Sequence, residues 1–422
     1  PQRTILLLSF TLAGCGSSTQ LVDSGPSEAG PELGNGCAPG LTSAGPACVP
    51  IFDHCPAGQL ARLGGGCDPV GVEECPGGLR APDGVCRPVG PGVSCLAGWS
   101  VKERWCEPRL PAAPCAAGMS EVVGQDSCRP IGDCGNGVYG TISTGPQTLF
   151  VNAAYAGGGS NGSAAKPFVR IGDALQTAPA GAQVAVAAGR YIEDLAVTKS
   201  VNLQGRCASM VEVAGTGIPS STGVAESTVS VSPGQTVTLQ GLTITGPKRG
   251  ISVTKAKLTL VQVAVTGCGD AGVVAAGATL IINDSRIAAN RGRGVSLEDG
   301  DATLERVVIR DTAPFADNTF GTGVQADTLS GTPRLTMRDC LVAGNRHLGL
   351  AVRGTELVLE RTVIKDTLPQ LKGQSYGYGL VGYRKGAQPS KLTLKDCVLS
   401  GNHSSGLVLH GSEATLDRVV VR

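Results

Sequence analysis

Apolar and polar residues alternate along the second half of the chain, and the alternation repeats with a fixed spacing. The string LTMRDCLVAGN at residues 335–345 recurs as LTLKDCVLSGN at residues 392–402. Alternation over short segments predicts β-strands, and the same apolar position returns every 21 or 22 residues, apart from three longer steps. A repeat of this length predicts one coil of a parallel solenoid. The repeated positions are Leu203, Leu239, Leu260, Ile282, Leu304, Met337, Leu359, Leu394 and Leu416.

Each coil should contain three short strands, because apolar residues recur two apart three times per repeat, as in the segments 335–337, 340–342 and 350–352. We therefore predict an all-β chain in which residues 206–422 form a right-handed parallel β-helix, a solenoid with coils roughly 4.8 Å apart. A leucine-rich-repeat solenoid would need a helix-forming half-repeat, which these segments lack. The strand pattern still runs at Arg422, so we expect further coils beyond it.

Residues 149–205 have a different pattern, which predicts the start of the solenoid. An opening strand ends near Asn152, a Gly/Ser loop follows, and the tripeptide KPF at 166–168 precedes a short amphipathic segment and an apolar run from 184 to 191. This arrangement resembles the N-terminal cap and first coil of pectin-lyase-like β-helix proteins. The resemblance implies a cap over the open end of the stack. It fixes no activity, since that family includes polysaccharide lyases, hydrolases, epimerases and members without known activity.

A cysteine repeat of 18 to 20 residues occupies residues 37–134, and a linker at 135–148 follows it. The units are too small to stay folded without cross-links. Because the repeat contains no C-x-x-C spacing, which is typical of zinc sites, we predict disulfides. Pairing within units would join Cys37 to Cys48 and leave Cys134, with Cys207 as a candidate partner. Pairing across units would join Cys48 to Cys55. The predicted disulfide cysteines are Cys37, Cys48, Cys55, Cys67, Cys75, Cys86, Cys95, Cys106, Cys115, Cys128 and Cys134.

The N-terminal residues predict export. Residues 1–15 contain an apolar run that is too short to cross a bilayer and that ends in Leu12-Ala13-Gly14-Cys15. This ending resembles a bacterial lipobox, which implies a signal peptide and a lipid-modified Cys15. Residues 16–36 should form a flexible tether. We expect an outer-membrane or cell-surface location, and the net charge of +1 gives no reason to expect a nucleic acid as a partner.

The long coils predict a candidate ligand groove. Insertions flank the third strands of the coils that contain Leu304 and Leu359, and the loops 313–322 and 368–378 should form walls roughly 10 Å apart, twice the strand spacing. Aromatic rings beside polar groups suit the faces of sugars. The candidate groove residues are Phe315, Asp317, Asn318, Phe320, Arg346, His347, Gln370, Lys372, Tyr376 and Tyr378.

Other regular positions predict structural roles. Cys340 and Cys397 occupy inward positions and should be packed thiols, and Asn290, Asn345 and Asn402 should occupy left-handed turns. Charges alternate in sign along two adjacent ladders, which a parallel array needs to avoid contact between like charges. The ladders run through Glu305, Arg338, Glu360, Lys395 and Asp417, and through Arg306, Asp339, Arg361, Asp396 and Arg418.

The function favoured by these features is a lipid-anchored surface protein whose β-helix binds polysaccharide or another surface ligand. A polysaccharide lyase or glycoside hydrolase is the first alternative, and a structural or adhesive rod is the second. The resemblance implies a calcium-binding carboxylate cluster for a lyase and close Asp groups for a hydrolase. The sequence shows neither, because the equivalent residues Asp311 and Asp366 should lie about 10 Å apart. We predict no cofactor, except calcium under the lyase alternative, and assign no catalytic residue.

Overall fold

The computed structural model describes residues 95–102, 105–218 and 227–422 in full, and the backbone of short strands between residues 41 and 88. The chain forms two compact units, one spanning Ser9–Pro88 and the other containing Val89–Arg422. The predicted lipobox, the tether and the side chains of the first six repeat cysteines lie outside the described residues. In the first unit the strands are antiparallel and their bounds are β1 Leu41–Ala44, β2 Ala47–Pro50, β3 Gln59–Ala61, β4 Cys67–Pro69, β5 Glu74–Cys75, β6 Gly78–Arg80 and β7 Cys86–Pro88.

The second unit begins with two antiparallel hairpins and continues into a parallel β-helix. The hairpins are β8 Trp99–Lys102 with β9 Trp105–Pro108, and β10 Met119–Ser120 with β11 Arg129–Pro130. The cap and first coils are β12 Thr148–Val151, α1 Ile171–Thr177, β13 Ala182–Val186, β14 Gly189–Ile192, β15 Leu195–Val197, β16 Val201–Gly205, β17 Val211–Ala214, β18 Ser227–Val231, β19 Thr236–Gln240, β20 Thr243–Thr245, β21 Arg249–Thr254, β22 Lys257–Val261, β23 Ala264–Thr266 and β24 Ala271–Ala276.

The later coils repeat the same three-strand plan. First and second strands of each coil join one sheet of nineteen strands, and the third strands form a separate sheet of nine. The remaining strands are β25 Thr279–Asn283, β26 Arg286–Ala288, β27 Arg293–Glu298, β28 Asp301–Glu305, β29 Val308–Arg310, β30 Thr322–Asp327, β31 Arg334–Arg338, β32 Leu341–Ala343, β33 Leu348–Arg353, β34 Glu356–Glu360, β35 Val363–Lys365, β36 Tyr378–Tyr383, β37 Lys391–Ser400, β38 Leu407–His410 and β39 Glu413–Val421.

The predicted repeat matches the strand register. Each of the nine repeated apolar positions pairs with the next one in a parallel ladder, from Leu203 with Leu239 to Leu394 with Leu416. The first eight side chains are at most 1% exposed and form one column inside the coils, whereas Leu416, on the last strand, is 47% exposed. The longer steps from Leu304 to Met337 and from Leu359 to Leu394 are accommodated by loops, and the strand register stays intact. The predicted β-helix is therefore confirmed.

The cap also has the predicted order of elements. Strand β12 pairs in parallel with β13, and α1 buries Ile171, Ala174 and Leu175 against the first coil. The buried carboxylate of Glu193 accepts hydrogen bonds from the backbone N–H groups of Ile171 and Gly172, at 2.8 and 2.9 Å. Those N–H groups have no partner within the helix, so Glu193 fixes where the helix begins.

Within the described residues, no helix has the length and apolar character that a membrane span requires.

Residues 95–102 and 105–142, which we name the strap, lie along the outer surface of the second strands. The strap runs opposite to the order of the coils. Trp99 packs against Val398 and Val420 of the last coils, and Ile131 packs near the other end against Ala208 and Ala264. The last two cysteine repeats therefore belong to the same compact unit as the solenoid, a packing that the sequence did not predict.

The disulfides of the strap follow the first of the two predicted pairings. Cys95 is bonded to Cys106 and Cys115 to Cys128, each within one repeat. Cys134, which this scheme leaves over, is bonded to Cys207 of the solenoid. Pairing within repeats is confirmed for the described cysteines.

A buried carboxylate also joins the strap to the solenoid. Glu121 of the strap is 3% exposed and forms ion pairs with Arg286 and Arg310, whose side chains are 13% and 12% exposed. One oxygen of Glu121 also accepts a hydrogen bond from the backbone N–H of Cys115 at 2.9 Å. Three charged groups are thus largely removed from water together. Glu121 compensates the charge of Arg286, whereas Arg310 also pairs with Asp311 at 2.7 Å.

The charge ladders are structural, as predicted. Arg306 binds Asp284 of the preceding coil through two hydrogen bonds, of 2.6 and 2.9 Å. Arg361 binds Asp339 in the same way, at 2.7 and 2.8 Å. Arg418 and Asp396 repeat the arrangement. Each pair joins two successive coils at the turn between the first and second strands.

The role predicted for the turn asparagines needs a correction. The left-handed residue is the one before each asparagine, as at Ala289 before Asn290, and the asparagine itself has no positive φ. Instead, the Asn290 amide is fully buried, accepts from the N–H of Cys268 and donates to the carbonyl of Val265. Asn345 and Asn402 make the equivalent hydrogen bonds in later coils. These side chains satisfy backbone groups that would otherwise be buried without partners.

Candidate functional site

The outward surface of the third-strand sheet, here called the third-strand face, carries charged, polar, aromatic and apolar side chains. Side chains at equivalent positions of successive strands lie in rows, because the strands are parallel and in register. The middle row is Ser252, Val274, Ser296, Gln325, Ala351, Val381 and Val408. The row at the end of the strands is Thr254, Ala276, Glu298, Asp327, Arg353, Tyr383 and His410.

The two insertion loops border one edge of this face and touch each other. The backbone N–H of Lys372 donates to the carbonyl of Asn318 at 2.9 Å, and the Arg346 side chain donates to the carbonyl of Pro369 at 3.2 Å. These bonds draw the second loop toward the first, across the short coil between them. This corrects the expectation of two separate walls with an open groove between them, because loop length alone does not set the direction in which a loop leans.

Five rings from the two loops and the intervening coil form a continuous row. Phe315 and Phe320 have centroids 5.7 Å apart, Phe320 and His347 5.2 Å, His347 and Tyr376 4.5 Å, and Tyr376 and Tyr378 6.0 Å, all edge to face. Phe320 is 36% exposed and Tyr376 is 41% exposed. We name these five residues the aromatic row. The structure thus brings together all five predicted ring-bearing residues.

The other predicted groove residues mainly hold the loops in place. Asp317 accepts hydrogen bonds from the backbone N–H and the hydroxyl of Thr319, at 3.0 and 2.6 Å. The hydroxyl bond of Thr319 is the main cause that lowers the pKa of Asp317. Gln370 donates to the hydroxyl of Ser375 at 3.0 Å. Asn318 has a positive φ of 67° within its turn.

His347 is the most constrained member of the aromatic row. Its Nδ1 lies 3.1 Å from the hydroxyl of Thr322, and the ring stands between Phe320 and Tyr376. Burial lowers the pKa of His347 to about 4, and the positive charge of Arg293 acts in the same direction. The ring is therefore neutral at physiological pH and can act only as a neutral hydrogen-bonding group.

This pKa predicts a dependence of stability on pH. Histidine in the unfolded chain has a pKa near 6.5. Between that pH and about 4 the unfolded state binds more protons than the folded state, so acidification through this window lowers the free energy of unfolding. The variant His347→Gln should lose less stability over the same window. Urea titrations of both proteins at pH 7 and pH 5 measure the difference, and equal losses would contradict the assignment.

Beside the aromatic row, the face carries an apolar cluster that the predicted site did not contain. It consists of Leu348, Ala351 and Val381, all buried, with Tyr378 and Tyr383 packed against them. Tyr383 stacks on His410 with centroids 5.1 Å apart and an interplanar angle of 5°. A signal was present in the sequence, because the strands LGLAVR and YGLVGY are apolar at outward as well as inward positions.

A polar cleft of about 420 Å³ continues the face toward the earlier coils, and its lining includes Arg249, Asp270, Arg293, Glu298, Gln325 and Asp327. Arg293 links the cleft to the aromatic row. Its Nε donates to Gln325 at 2.8 Å, and its guanidinium carbon lies 5.5 Å from the centroid of Phe320. The cleft, the aromatic row and the apolar cluster therefore lie next to one another on the third-strand face.

The remaining candidate chemical groups are structural. Cys340 and Cys397 are fully buried, and burial raises the pKa of each thiol to about 12, so both are packed thiols as predicted. Within the part of the chain that the structure describes, no group of three or more His, Cys, Asp or Glu residues could hold a metal ion.

Comparisons with known proteins agree with this architecture. A family model described as a right handed beta helix region matches residues 220–357 and 249–420. No curated protein matches the chain. Pectate lyase Pel9A is 14% identical with a TM-score of 0.44, and the match covers 62% of this chain and 65% of that one. The chain thus spans just under two thirds of the length of Pel9A.

Two further solved structures match at lower scores. An alginate lyase from Paenibacillus sp. str. FPU-7 is 13% identical with a TM-score of 0.35, and 64% of this chain and 99% of that chain are covered. The enzymatically active domain of tailspike protein 2 from bacteriophage CBA120 is 10% identical with a TM-score of 0.38, covering 58% and 42%. The chain contains a right-handed parallel β-helix, preceded by a disulfide-bonded segment.

Proposed function

We propose that this chain is an exported, lipid-anchored surface protein whose third-strand face binds a polysaccharide. The observation that carries the binding proposal is the aromatic row, which includes the exposed rings of Phe320 and Tyr376. The five rings pack beside the buried apolar cluster of Leu348, Ala351 and Val381, and hydrogen-bonding groups line the adjoining cleft.

The chemistry of a sugar chain matches this surface. Each pyranose ring offers an apolar face of C–H groups and an equatorial rim of hydroxyls, so its binding sites combine aromatic platforms with polar side chains. Phe320 and Tyr376 are exposed enough to contact a ligand. The face extends across consecutive coils that are roughly 4.8 Å apart, which suits an extended polymer with several sugar units.

Substitution of the two exposed rings tests the binding proposal. The double variant Phe320→Ala/Tyr376→Ala should lose at least about tenfold in affinity for the retained polymer, because each lost stacking contact costs on the order of 1 kcal/mol. Affinity electrophoresis and isothermal titration against a panel of neutral and acidic polysaccharides measure this loss. The control is Ile192→Ala, which removes a side chain that is 59% exposed on an early coil.

Two outcomes would contradict polysaccharide binding at this face. Failure of the unaltered protein to bind any polymer of the panel would favour a structural or adhesive rod. Equal binding by the double variant and the control would place the polymer elsewhere on the chain. A melting curve of each variant checks that its fold is intact.

The lipid anchor rests on Cys15 and on the apolar run before it. A thioether-linked diacylglyceryl group adds about 0.8 kcal/mol per buried methylene, so two or more acyl chains hold a protein stably on a membrane. We expect the full precursor expressed in a Gram-negative host to incorporate radiolabelled fatty acid and to fractionate with membranes. The variant Cys15→Ala should lose the label, and label retained in that variant would contradict anchoring at this residue.

A further inference from the structure

The outward surface of the first strands, here called the first-strand face, carries its charges in stripes. In the last five coils a central row of β-branched residues is flanked by charged residues on both sides, and the charges change sign from each coil to the next. The central row is Thr303, Thr336, Val358, Thr393 and Thr415. The row at the strand starts is Asp301, Arg334, Glu356, Lys391 and Glu413, and the row at the strand ends is Glu305, Arg338, Glu360, Lys395 and Asp417.

The two flanking rows alternate in phase. Each coil therefore has the same sign on both sides of its central residue, so negative and positive stripes follow one another along the solenoid. Alternation within a row is enough to keep like charges of neighbouring coils apart. It does not require the second row, four residues further along the strand, to have the same phase. A partner that lies across the whole face would meet one sign on each coil.

The charges of this face are only partly compensated within the chain. Arg334 lies 3.6 Å from Glu356, yet the two side chains are 56% and 49% exposed. Lys391 and Lys395 are exposed, and neither forms an ion pair among the described residues. The acidic residues at the strand ends of the first and last of these coils also contact the turn arginines beside them. The row at the strand starts therefore has the most charge available to a partner.

We propose that the first-strand face pairs with the same face of a second copy of this chain, with the two solenoids running in opposite directions. The stripes favour this arrangement. If the two solenoids ran in the same direction about a two-fold axis, each coil would meet its own counterpart and like charges would oppose each other. If they run in opposite directions and the axis passes between two coils, each negative stripe meets a positive one.

An axis between the coils of Arg334 and Glu356 matches four coils of each copy. The stripe of Arg334 then opposes the stripe of Glu356 of the second copy, and the stripe of Asp301 opposes that of Lys391. A rotation about an axis parallel to the strands keeps each residue at its level along the strand, so strand starts meet strand starts. The pairing thus gives Lys391 a carboxylate partner that it lacks among the described residues.

The size of the face indicates a weak dimer. Five residues at about 3.3 Å each and six coils at about 4.8 Å each give roughly 450 Å² per copy. Standard complexes bury about 800 Å² per partner, so this pairing belongs to the weak and transient class. Its free energy should depend mainly on charge, and salt should therefore weaken it. The pairing uses another face than the proposed polysaccharide site and does not depend on that proposal.

Charge reversal in the full chain tests the pairing. Sedimentation velocity over a range of concentrations at low ionic strength should show a monomer–dimer equilibrium for the unaltered protein, which added salt shifts to monomer. The variants Lys391→Glu/Lys395→Glu and Asp301→Lys/Glu305→Lys should each weaken dimerisation by at least about tenfold, because like stripes then oppose each other.

A mixture of the two variants separates loss of pairing from loss of folding. Opposite stripes meet again when one copy carries the two new glutamates and the other the two new lysines, so the mixture should form the dimer that neither variant forms alone. The control Arg384→Glu/Lys385→Glu makes the same change of net charge as the first variant, just after a third strand. It should dimerise like the unaltered protein.

Three results would overturn the proposal. The first is an unaltered protein that stays monomeric at every concentration. The second is equal dimerisation by the unaltered protein and both charge-reversal variants, which would place the interface on another part of the chain. The third is a mixture that forms no dimer although the melting curves of both variants show an intact fold.

Discussion

The variant Leu359→Ala is expected to lower the free energy of unfolding by roughly 3 kcal/mol, because removal of a fully buried leucine leaves a cavity that its surroundings fill only in part. Leu359 is 0% exposed and pairs with Met337 on one side and Leu394 on the other, in the column that runs through the coils. Urea denaturation followed by circular dichroism measures the loss.

The chain contains a matched control in the same column. Leu416 holds the equivalent position of the last strand and is 47% exposed, so Leu416→Ala should cost well under half as much. Equal losses at the two positions would show that the column does not form the core, since burial is the main difference between them.

The second large effect is expected at Glu121. The variant Glu121→Ala should lower the free energy of unfolding by roughly 3 kcal/mol, because it leaves the largely buried guanidinium group of Arg286 without its carboxylate partner. The side chain of Arg286 is 13% exposed; that of Arg310 is 12% exposed and keeps an ion pair with Asp311 at 2.7 Å. Thermal and urea denaturation at neutral pH measure the loss.

An exposed ion pair provides the comparison. Arg338 and Glu360 lie 2.8 Å apart, with side chains 43% and 30% exposed, and such pairs contribute about 0–1 kcal/mol. Glu360→Ala should therefore have a small effect. A loss at Glu121 no larger than that at Glu360 would mean that the carboxylate does not hold the strap to the solenoid.

The repeat allowed the solenoid to be predicted in detail. Because side chains alternate across a strand and the strands are parallel, a one-residue error in register would have turned a whole column outward. The steps between Leu203 and Leu416 therefore predicted both the coils and their alignment. The ladder from Arg306 to Arg418 was predictable for the same reason, since opposite charges must meet between coils.

The strap was not predicted, because its contacts join distant parts of the chain. Nothing near Trp99 in the sequence indicates that it packs on Val420. One signal was available: Val308, Leu341 and Ala343 of the second strands are apolar at positions that alternation assigns to the outside. Apolar side chains on both faces of a strand indicate that another segment covers it.

The sequence predicted which residues form the candidate site, but it did not predict how the two loops are arranged. Counting insertions identified the two loops and hence all five members of the aromatic row. The contact between Lys372 and Asn318, which closes the space between the loops, depends on loop conformation. The apolar cluster around Val381 was not predicted, because its residues lie on the third strands and not in the insertions.

The most direct test of the account is a distance between two outward positions that are six coils apart. Thr238 and Thr393 belong to one row of the first strands, so spin labels at these positions should give a narrow pulsed-EPR distribution centred near roughly 29 Å, six times the strand spacing. Inserted residues should not lengthen this distance, because they leave the stack as loops. A broad distribution, or a distance well above roughly 40 Å, would contradict the stacking of these repeats as successive coils.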